Sequence, residues 1–352
     1  MCRCLFFLTA LGGMSYLVLP ISAQGVPSEE SAETYHNRAI RLTLADDSPE
    51  AAVWFRKAWE LEPANSVYVH DLAVYYIHHH DYPNALAVIR DYVKRSGPTA
   101  LGWTLQGEYL FERKQYDESY QSLREALDIS NTNYRAHELM GLIFSVHRRY
   151  DLGLEELKVA VAQNPNSAQT RFYCGRLYYR AGNYPAARDE FTACLTLNPA
   201  YPQATENLGL ALEAMGDVSS AEGRYRQAIA LDKAGNTLRS EYPYVCLAAL
   251  LLKQPGHDRD AEELLKRALS NNPKSAWAHC ELGRLYFKQR DDEAAAKHLA
   301  ISVELDNNYS RPHFFLGKIY QRTDRLQEAQ TEFARFKELD ANPDNREPQI
   351  TR

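Results

Sequence analysis

The stretch AQTRFYCGRLYYRAGNYPAARDEFTACLTLNP, residues Ala168–Pro199, decides the fold of this chain. Apolar residues recur at helical spacing in both of its halves, which predicts two amphipathic helices, about Ala168–Ala181 and Pro185–Leu197. Gly182 and the asparagine after it predict the turn between these helices, because glycine adopts left-handed backbone angles at low cost. The proline that closes the stretch cannot continue a helix.

The same pattern recurs along the chain with a period of 34 residues. Its most regular position is a glycine, the eighth of each unit, and a small residue follows twelve positions later. The glycines are Gly107, Gly141, Gly175, Gly209, Gly283 and Gly317. One step is stretched, because Ala249 takes the place of the glycine 40 residues after Gly209. A fixed period of this length indicates stacked copies of one supersecondary unit.

These residues resemble the tetratricopeptide repeat, and the resemblance covers about residues 32–343. Nine units begin near Ala32, Ser66, Ala100, Tyr134, Ala168, Pro202, Tyr242, Ala276 and Ser310. The resemblance implies an all-α fold, a right-handed α-solenoid of about nine 34-residue helix–turn–helix repeats. In such a solenoid the first helix of each repeat, helix A, lines a concave groove. The second, helix B, forms the convex back.

The stretched step separates repeats 1–6, residues 32–233, from repeats 7–9, residues 242–343. We assign residues 234–241 to an insertion, and two interpretations of it remain open. It is a tolerated surface loop, since a longer loop adds little closure entropy, or a break in curvature between two sub-solenoids. Residues 24–31 are interpreted as a short polar linker and residues 344–352 as a disordered tail.

The first 23 residues are typical of a secretory signal peptide. Arg3 supplies a short positive start, residues 5–19 are apolar except for Thr9 and Ser15, and cleavage is predicted near Ala23. An uncleaved N-terminal anchor is the alternative, although an apolar run of about 15 residues is shorter than the ~20 that a spanning helix needs. We therefore expect an exported protein, periplasmic or secreted, whose mature chain does not span a membrane.

The composition and the motifs exclude several classes of function. A formal net charge of −6 lacks the basic footprint that nucleic-acid binding needs. The sequence contains no G-x-S-x-G or H-E-x-x-H motif, no phosphate-binding glycine loop and no nucleotide fingerprint. A repeat solenoid also seldom encloses the preorganised site that catalysis uses. We expect neither enzyme activity nor a cofactor.

In the tetratricopeptide family, ligands contact recurring positions of helix A. Carried onto this chain, those positions are acidic and apolar in repeats 1–4 and basic and aromatic in repeats 5–9. The candidate ligand residues are Arg176, Arg180, Phe172, Tyr179, Arg284, Lys288, Trp277, Phe287, Lys318 and Arg322. Arginine forks bind carboxylates and aromatic rings supply rigid contact area, so this half favours an acidic peptide or protein segment. The alternative is that the charges are solvated and some rings pack between helices.

The run His78-His79-His80 raises a metal hypothesis, which His70 and His36 strengthen. Metals that prefer imidazole need three or four converging ligands, and histidines at a helix end are more often solvated. We therefore predict no metal site.

Four cysteines remain after the predicted cleavage, and export would permit disulfides between them. The residues are Cys174, Cys194, Cys246 and Cys280. The first two differ in height along facing helices and the last two lie on neighbouring helix axes, so buried free thiols are favoured for both pairs.

Together these observations predict an exported, non-enzymatic scaffold that binds a peptide or protein segment in its concave groove. Two alternatives remain. One is a protein that recognises an anionic glycan or polysaccharide, with sugar faces stacked on the aromatic rings. The other is an accessory domain that works with a separately encoded enzyme. The sequence leaves the oligomeric state and the identity of the partner open.

Overall fold

The computed structural model describes residues 31–46, 49–233 and 240–342. Within these ranges the chain forms eighteen α-helices and no strands, so the expected all-α repeat fold is confirmed. The predicted signal peptide, nearly all of the predicted linker, the core of the insertion (residues 234–239) and the predicted tail lie outside the described residues. The chain divides into two compact units, Met1–Arg95 and Ser96–Arg352.

The first unit contains repeats 1 and 2, each a pair of adjacent helices. Its helices are α1 (Ala32–Asp46), α2 (Glu50–Leu61), α3 (Ser66–His78) and α4 (Tyr82–Ser96). Their core is built from Phe55, Leu72, Ile77, Ala85 and Ile89, all of which are buried.

The second unit contains repeats 3 to 9. Its first helices are α5 (Ala100–Glu112), α6 (Tyr116–Ile129), α7 (Tyr134–Val146), α8 (Tyr150–Gln163), α9 (Ala168–Arg180), α10 (Tyr184–Leu197) and α11 (Pro202–Ala214). The remaining ones are α12 (Val218–Lys233), α13 (Tyr242–Leu251), α14 (Asp258–Asn271), α15 (Ala276–Lys288), α16 (Asp292–Leu305), α17 (Ser310–Arg322) and α18 (Leu326–Asp340). The odd-numbered helices are therefore the A helices and the even-numbered ones the B helices.

Polar residues one position before helix A explain why the helices start where they do. Five of these side chains accept a hydrogen bond from a backbone N–H in the first turn, which satisfies a group that has no partner within the helix. They are Asn65, Thr99, Asn133, Ser167 and Ser275.

The turn from helix A to helix B contains a residue with positive φ in eight repeats of the described chain. These residues are His80, Lys114, Arg148, Gly182, Gly216, Gly256, Arg290 and Asp324. In repeat 5, Gly182 N–H donates to Tyr179 O (3.0 Å) and Asn183 N–H donates to Tyr178 O (2.9 Å), which closes the end of the helix. The sequence predicted this turn from a glycine. Five repeats adopt the same conformation without one, at a cost of about 1–2 kcal/mol each.

The eighth position is glycine where a bulky residue of helix B fills the space beside it. A Cβ atom at Gly175 would lie 2.6 Å from Phe191, and one at Gly209 would lie 2.5 Å from the ring of Tyr225. Both rings are fully buried. The regular recurrence of small residues along the chain therefore reflects the close approach of the two helices within each repeat.

One hydrophobic core extends from α9 to α17, across the stretched step between repeats 6 and 7. Tyr225 and Ile229 of α12 belong to it together with Tyr244 and Val245 of α13. Cys174, Cys194, Cys246 and Cys280 are buried, and none of these four forms a disulfide.

Candidate functional site

The A helices of repeats 5 to 9 form a continuous layer in the second unit. Each of α9, α11, α13 and α15 contacts the next A helix along the chain. Side chains at equivalent positions of successive A helices therefore come close together, although they are 34 or 40 residues apart in sequence.

A cavity of about 380 Å³ lies against this layer. Its walls combine aromatic, aliphatic and charged side chains from six helices. The lining residues are Tyr179, Tyr184, Leu210, Glu213, Ala214, Cys246, Ala249, Lys253, Trp277, Arg284 and Arg311. Mixed apolar walls with a few placed charges are typical of ligand sites.

Two arginines of the cavity share one buried carboxylate. Glu281 of α15 is fully buried, and its Oε2 lies 2.9 Å from Arg284 Nη2. Its Oε1 lies 3.1 Å from Arg311 Nη1, on the neighbouring helix α17. Two guanidinium groups around one carboxylate leave a net charge of +1 in this cluster.

The residues that line the cavity also include a balanced ion pair. Lys253 Nζ lies 2.9 Å from Glu213 Oε1. The other oxygen of Glu213 accepts a hydrogen bond from the hydroxyl of Tyr225 (2.8 Å). Lys253 therefore neutralises the charge of Glu213. The net positive charge of the cavity remains with Arg284 and Arg311.

Three of the ten residues predicted from the sequence line this cavity, namely Tyr179, Trp277 and Arg284. The ring of Tyr179 packs against that of Tyr184, with 5.3 Å between their centroids. Trp277 is 8% exposed, and its Nε1 is a buried donor that has no acceptor within the described part of the chain. These residues come from α9, α10 and α15.

Phe172 packs in the core rather than on an open surface. It is 7% exposed, and its ring lies 5.1 Å from that of Tyr201 and 5.9 Å from that of Phe191. Arg176 covers this ring, with 5.7 Å from its guanidinium carbon to the ring centroid. Burial, with the nearby charge of Arg180, lowers the pKa of Arg176 to about 10. Phe172 therefore follows the alternative given for the ligand positions, in which some aromatic rings pack between helices.

Lys288 and Arg322, at the last position of their A helices, pair with the first turn of the B helix of the preceding repeat. Lys288 Nζ lies 2.5 Å from Asp258 Oδ1, and Arg322 Nε donates to Asp292 Oδ2 at 2.7 Å. Arg322 also stacks on Phe287, with 4.2 Å from its guanidinium carbon to the ring centroid. Lys288 and Arg322 belong to the A-helix layer, and through these ion pairs they also connect consecutive repeats.

Phe287 and Lys318 lie farther along the same layer, outside the residues that line the cavity. The ring of Phe287 packs edge-on against Phe315 at 5.6 Å. Lys318 is exposed and lies 5.7 Å from the ring centroid of Phe314.

Sequence reasoning did not single out Tyr184, Leu210 and Cys246 as site residues. Tyr184 is the first residue of helix B, whereas the family positions used for the prediction all lie on helix A. Leu210 and Cys246 occupy such positions but carry no charge or ring, so nothing in the sequence marked them.

The second unit also contains a cluster of opposite composition between α5 and α7. Arg135 of α7 forms an ion pair with Glu108 of α5, and its Nη1 donates to Glu138 Oε2 at 2.8 Å. Both glutamates are 2% exposed. Burial alone would lower the pKa of Arg135, but the charges and hydrogen bonds of the two carboxylates raise it above its usual value. Two carboxylates around one guanidinium leave a net charge of −1.

The first unit has a cavity of its own, of about 540 Å³, lined by Ile40, Thr43, Phe55, Asp71, Val74, Tyr75, His78 and His79. Asp71 lies 2.7 Å from His36 Nε2 and 2.8 Å from His70 Nδ1. Burial would raise the pKa of Asp71, but the hydrogen bonds with these two histidines outweigh it and lower the pKa.

His80 adopts the left-handed conformation that ends α3. The ranges that the structure describes contain no group of three or more His, Cys, Asp or Glu side chains able to hold a metal ion.

Comparison with known proteins shows that one family model matches this chain. The model described as tetratricopeptide repeat matches residues 70–134, 138–205, 174–236 and 246–310. These matches together cover more than half of the chain.

Similar proteins share the fold at low sequence identity. Anaphase-promoting complex subunit 3 of Schizosaccharomyces pombe (strain 972 / ATCC 24843) is 22% identical over 204 residues, which are 58% of this chain and 30% of that protein. A chain of the APC/C hetero-tetramer Cut9–Hcn1 superposes with a TM-score of 0.68 and 16% identity, covering 82% of this chain and 54% of that chain. This chain therefore spans less than two thirds of the length of either relative.

A third relative is similar over a shorter part of this chain. PilF of Pseudomonas aeruginosa superposes with a TM-score of 0.52 and 20% identity, covering 59% of this chain and 92% of PilF. No helix among the residues described here is both long and apolar enough to cross a membrane.

Proposed function

Because the chain belongs to the tetratricopeptide repeat family, we propose that it is a non-enzymatic scaffold that binds a peptide or protein segment along its A helices. Proteins built from this repeat generally mediate protein–protein interactions. The observation that supports the proposal most directly is the cavity of about 380 Å³ on the A-helix layer of repeats 5 to 9.

The mechanism is preorganisation of many contacts on a rigid layer of helices. The cavity residues are held by the core between α9 and α17, so binding a segment does not require the scaffold to fold or to reorder its helices. Aromatic walls from Tyr179, Tyr184 and Trp277 supply contact area, and the charges at Arg284 and Lys253 set the register of the bound segment.

The test of this proposal is site-specific photo-crosslinking in cells. A benzophenone side chain replaces Tyr179, which lines the cavity, or Val159, which is 40% exposed on the B helix α8. We expect protein adducts at residue 179 whose crosslinked sites fall within one linear segment of the partner, and no such adducts at residue 159. Equal labelling at both positions, or recovery of polysaccharide without protein at residue 179, would contradict it.

We also propose that the scaffold acts in an exported compartment, on the strength of the signal-peptide pattern in residues 1–23. Cell fractionation of the native host followed by N-terminal sequencing tests this. The expected result is an exported protein that begins at Gln24. A protein that keeps Met1 and stays with the membrane fraction supports the anchor instead, and a cytoplasmic protein overturns both.

A further inference from the structure

Arg284 is the most informative side chain of the cavity, because its guanidinium is only partly used. Within the described chain its polar contacts are made by Nη2, to Glu281 Oε2 (2.9 Å) and to the carbonyl oxygen of Ala249 (3.3 Å). Its Nη1 and Nε have no partner among the same residues. The side chain is 24% exposed and lines the cavity, so these two donors of the planar fork are available, although they lie on different edges of it.

Glu281 fixes the position of that fork. Its carboxylate is fully buried and bridges Arg284 of its own helix and Arg311 of the next. A buried carboxylate between two arginines restricts their rotation, which lowers the entropy lost when a ligand is bound. Glu281 is therefore a positioning residue, and Arg284 is the group that would contact a ligand.

The charge balance of the cavity selects the type of anion. The charged groups that line it or support it directly are Lys253, Arg284 and Arg311 against Glu213 and Glu281. Three cations and two carboxylates leave a net charge of +1, which one carboxylate neutralises. A dianionic phosphate would leave an uncompensated negative charge in a partly buried site, which is costly.

The other residues that line the cavity indicate which groups can bind beside the anion. Tyr179, Tyr184 and Trp277 provide aromatic surface, and Leu210 and Ala249 provide aliphatic surface. A cavity of about 380 Å³ is larger than one carboxylate group, so it has room for the apolar stem of the side chain and for part of a neighbouring residue.

From these observations, and resting on the proposed function, we propose that the cavity binds an aspartate or glutamate side chain of the partner segment. The carboxylate accepts a hydrogen bond from Arg284 Nη1, and the aromatic walls contact the flanking residues. Such charge-assisted hydrogen bonds are shorter and stronger than neutral ones. The site differs from the Lys and Asn clamp known in the family, since the equivalent positions of α15 are Cys280 and Arg284.

The test uses random nine-residue peptides displayed on phage, selected against the purified chain. The wild type is compared with Arg284→Gln and with Arg226→Gln, a matched loss of one arginine charge on the B helix α12, outside the cavity. We expect one acidic position to be enriched with the wild type and with Arg226→Gln, and not with Arg284→Gln. Circular dichroism confirms that each variant is folded.

A selected peptide then gives the size of the effect. Replacing its acidic residue by Gln or Asn should weaken binding to the wild type about tenfold to hundredfold, and should change binding to Arg284→Gln little, because both changes remove the same contact. Isothermal titration calorimetry measures the four dissociation constants.

The possible failures are distinct. Selection of no peptide contradicts the proposed function itself. Selected peptides without an acidic position, or an acidic preference that Arg284→Gln retains, overturn the carboxylate site while leaving the scaffold function intact. Tighter binding of a peptide with phosphoserine at the acidic position overturns the choice of a carboxylate over a phosphate.

Discussion

Two joints between successive A helices have the same construction and opposite charge. In the acidic joint, between α5 and α7, Arg135 is enclosed by Glu108 and Glu138. In the basic joint, between α15 and α17, Glu281 is enclosed by Arg284 and Arg311. In both, an arginine at the second position of an A helix reaches back to a glutamate on the preceding A helix.

The joints differ at three repeated positions. The sixth and ninth positions of the earlier helix are Leu105 and Glu108 in α5 but Glu281 and Arg284 in α15, and the fifth position of the later helix is Glu138 in α7 but Phe314 in α17. Substitutions at a few repeated positions therefore reverse the net charge of a joint while the order of the helices is kept. This is how a repeat protein can carry different ligand preferences along one surface while it keeps one packing plan. The predictions below test the comparison from its largest expected effect to its smallest.

The largest effect is expected from removing the central residue of each joint. Arg135→Met leaves two buried carboxylates without their cation and should lower the free energy of unfolding by about 3–5 kcal/mol. Glu281→Gln removes the carboxylate charge that Arg284 and Arg311 share. These side chains are 24% and 35% exposed, so solvent screens them and the loss should be smaller, roughly 1–3 kcal/mol.

Urea unfolding at pH 7 measures the loss of stability in each variant. Arg226→Met is the control, because this arginine is 59% exposed in a surface pair with Glu222 and should cost below about 1 kcal/mol. A loss of that size in Arg135→Met would contradict the buried joint.

The fold of both joints could be predicted from sequence, and their contacts could not. The 34-residue period determined the helices, because spacing and small residues are local properties of the chain. The ion pairs depend on side-chain reach between helices: the sequence places Arg311 at the second position of a helix A, but it does not reveal the contact with Glu281. Phe172 shows the converse, since a ring at a family ligand position packs into the core between α9 and α10. The periodicity of the sequence predicts which face of a helix a residue occupies. Whether that residue is buried depends on the neighbouring repeat.

Repeats 4 and 8 both pack a glycine of helix A against a leucine of helix B. Replacing either glycine should therefore cause a smaller loss of stability, of equal size in the two repeats. A Cβ atom at Gly141 would lie 2.7 Å from Leu157 Cγ, and one at Gly283 would lie 2.5 Å from Leu299 Cγ. Overpacking costs about 1–3 kcal/mol, and the gain in helix propensity on replacing glycine returns about 0.5–1 kcal/mol, so each Gly→Ala change should destabilise by on the order of 1 kcal/mol.

Gly223→Ala in α12 is the matched control, because nothing lies within 4 Å of the added Cβ atom. This change should raise the midpoint of thermal unfolding, whereas the other two should lower it by similar amounts. Unequal losses at Gly141 and Gly283 would mean that the two repeats differ in packing as well as in charge.

The smallest effect concerns the side-chain pair that links helix A to helix B in the repeats that contain the central residues of the joints, Arg135 in repeat 4 and Glu281 in repeat 8. In repeat 4, His137 Nδ1 lies 2.6 Å from Glu156 Oε2, and this hydrogen bond raises the pKa of His137. In repeat 8 the equivalent residues are both histidines, with 3.0 Å between His279 Nδ1 and His298 Nδ1. Burial lowers the pKa of both, and the nearby charges of His279 and Lys297 lower the pKa of His298 further.

The stability contributed by these two side-chain pairs should therefore change with pH in opposite directions. Stability from the His137–Glu156 pair is fully present below the pKa of an unfolded histidine, about 6.5, and is lost as the pH rises through the raised folded value. Stability in repeat 8 falls as the pH drops below about 6.5, because the unfolded chain then binds more protons than the folded one.

Exchanging the partners tests this directly. His298→Glu gives repeat 8 the pair of repeat 4, and Glu156→His gives repeat 4 the pair of repeat 8. Measured as urea midpoints between pH 5.5 and pH 8, the first variant should gain stability relative to wild type at the acidic end and the second should lose it. If both variants follow the wild-type pH profile, these pairs do not govern the acid response, and the difference between the repeats is confined to the charges of the joints.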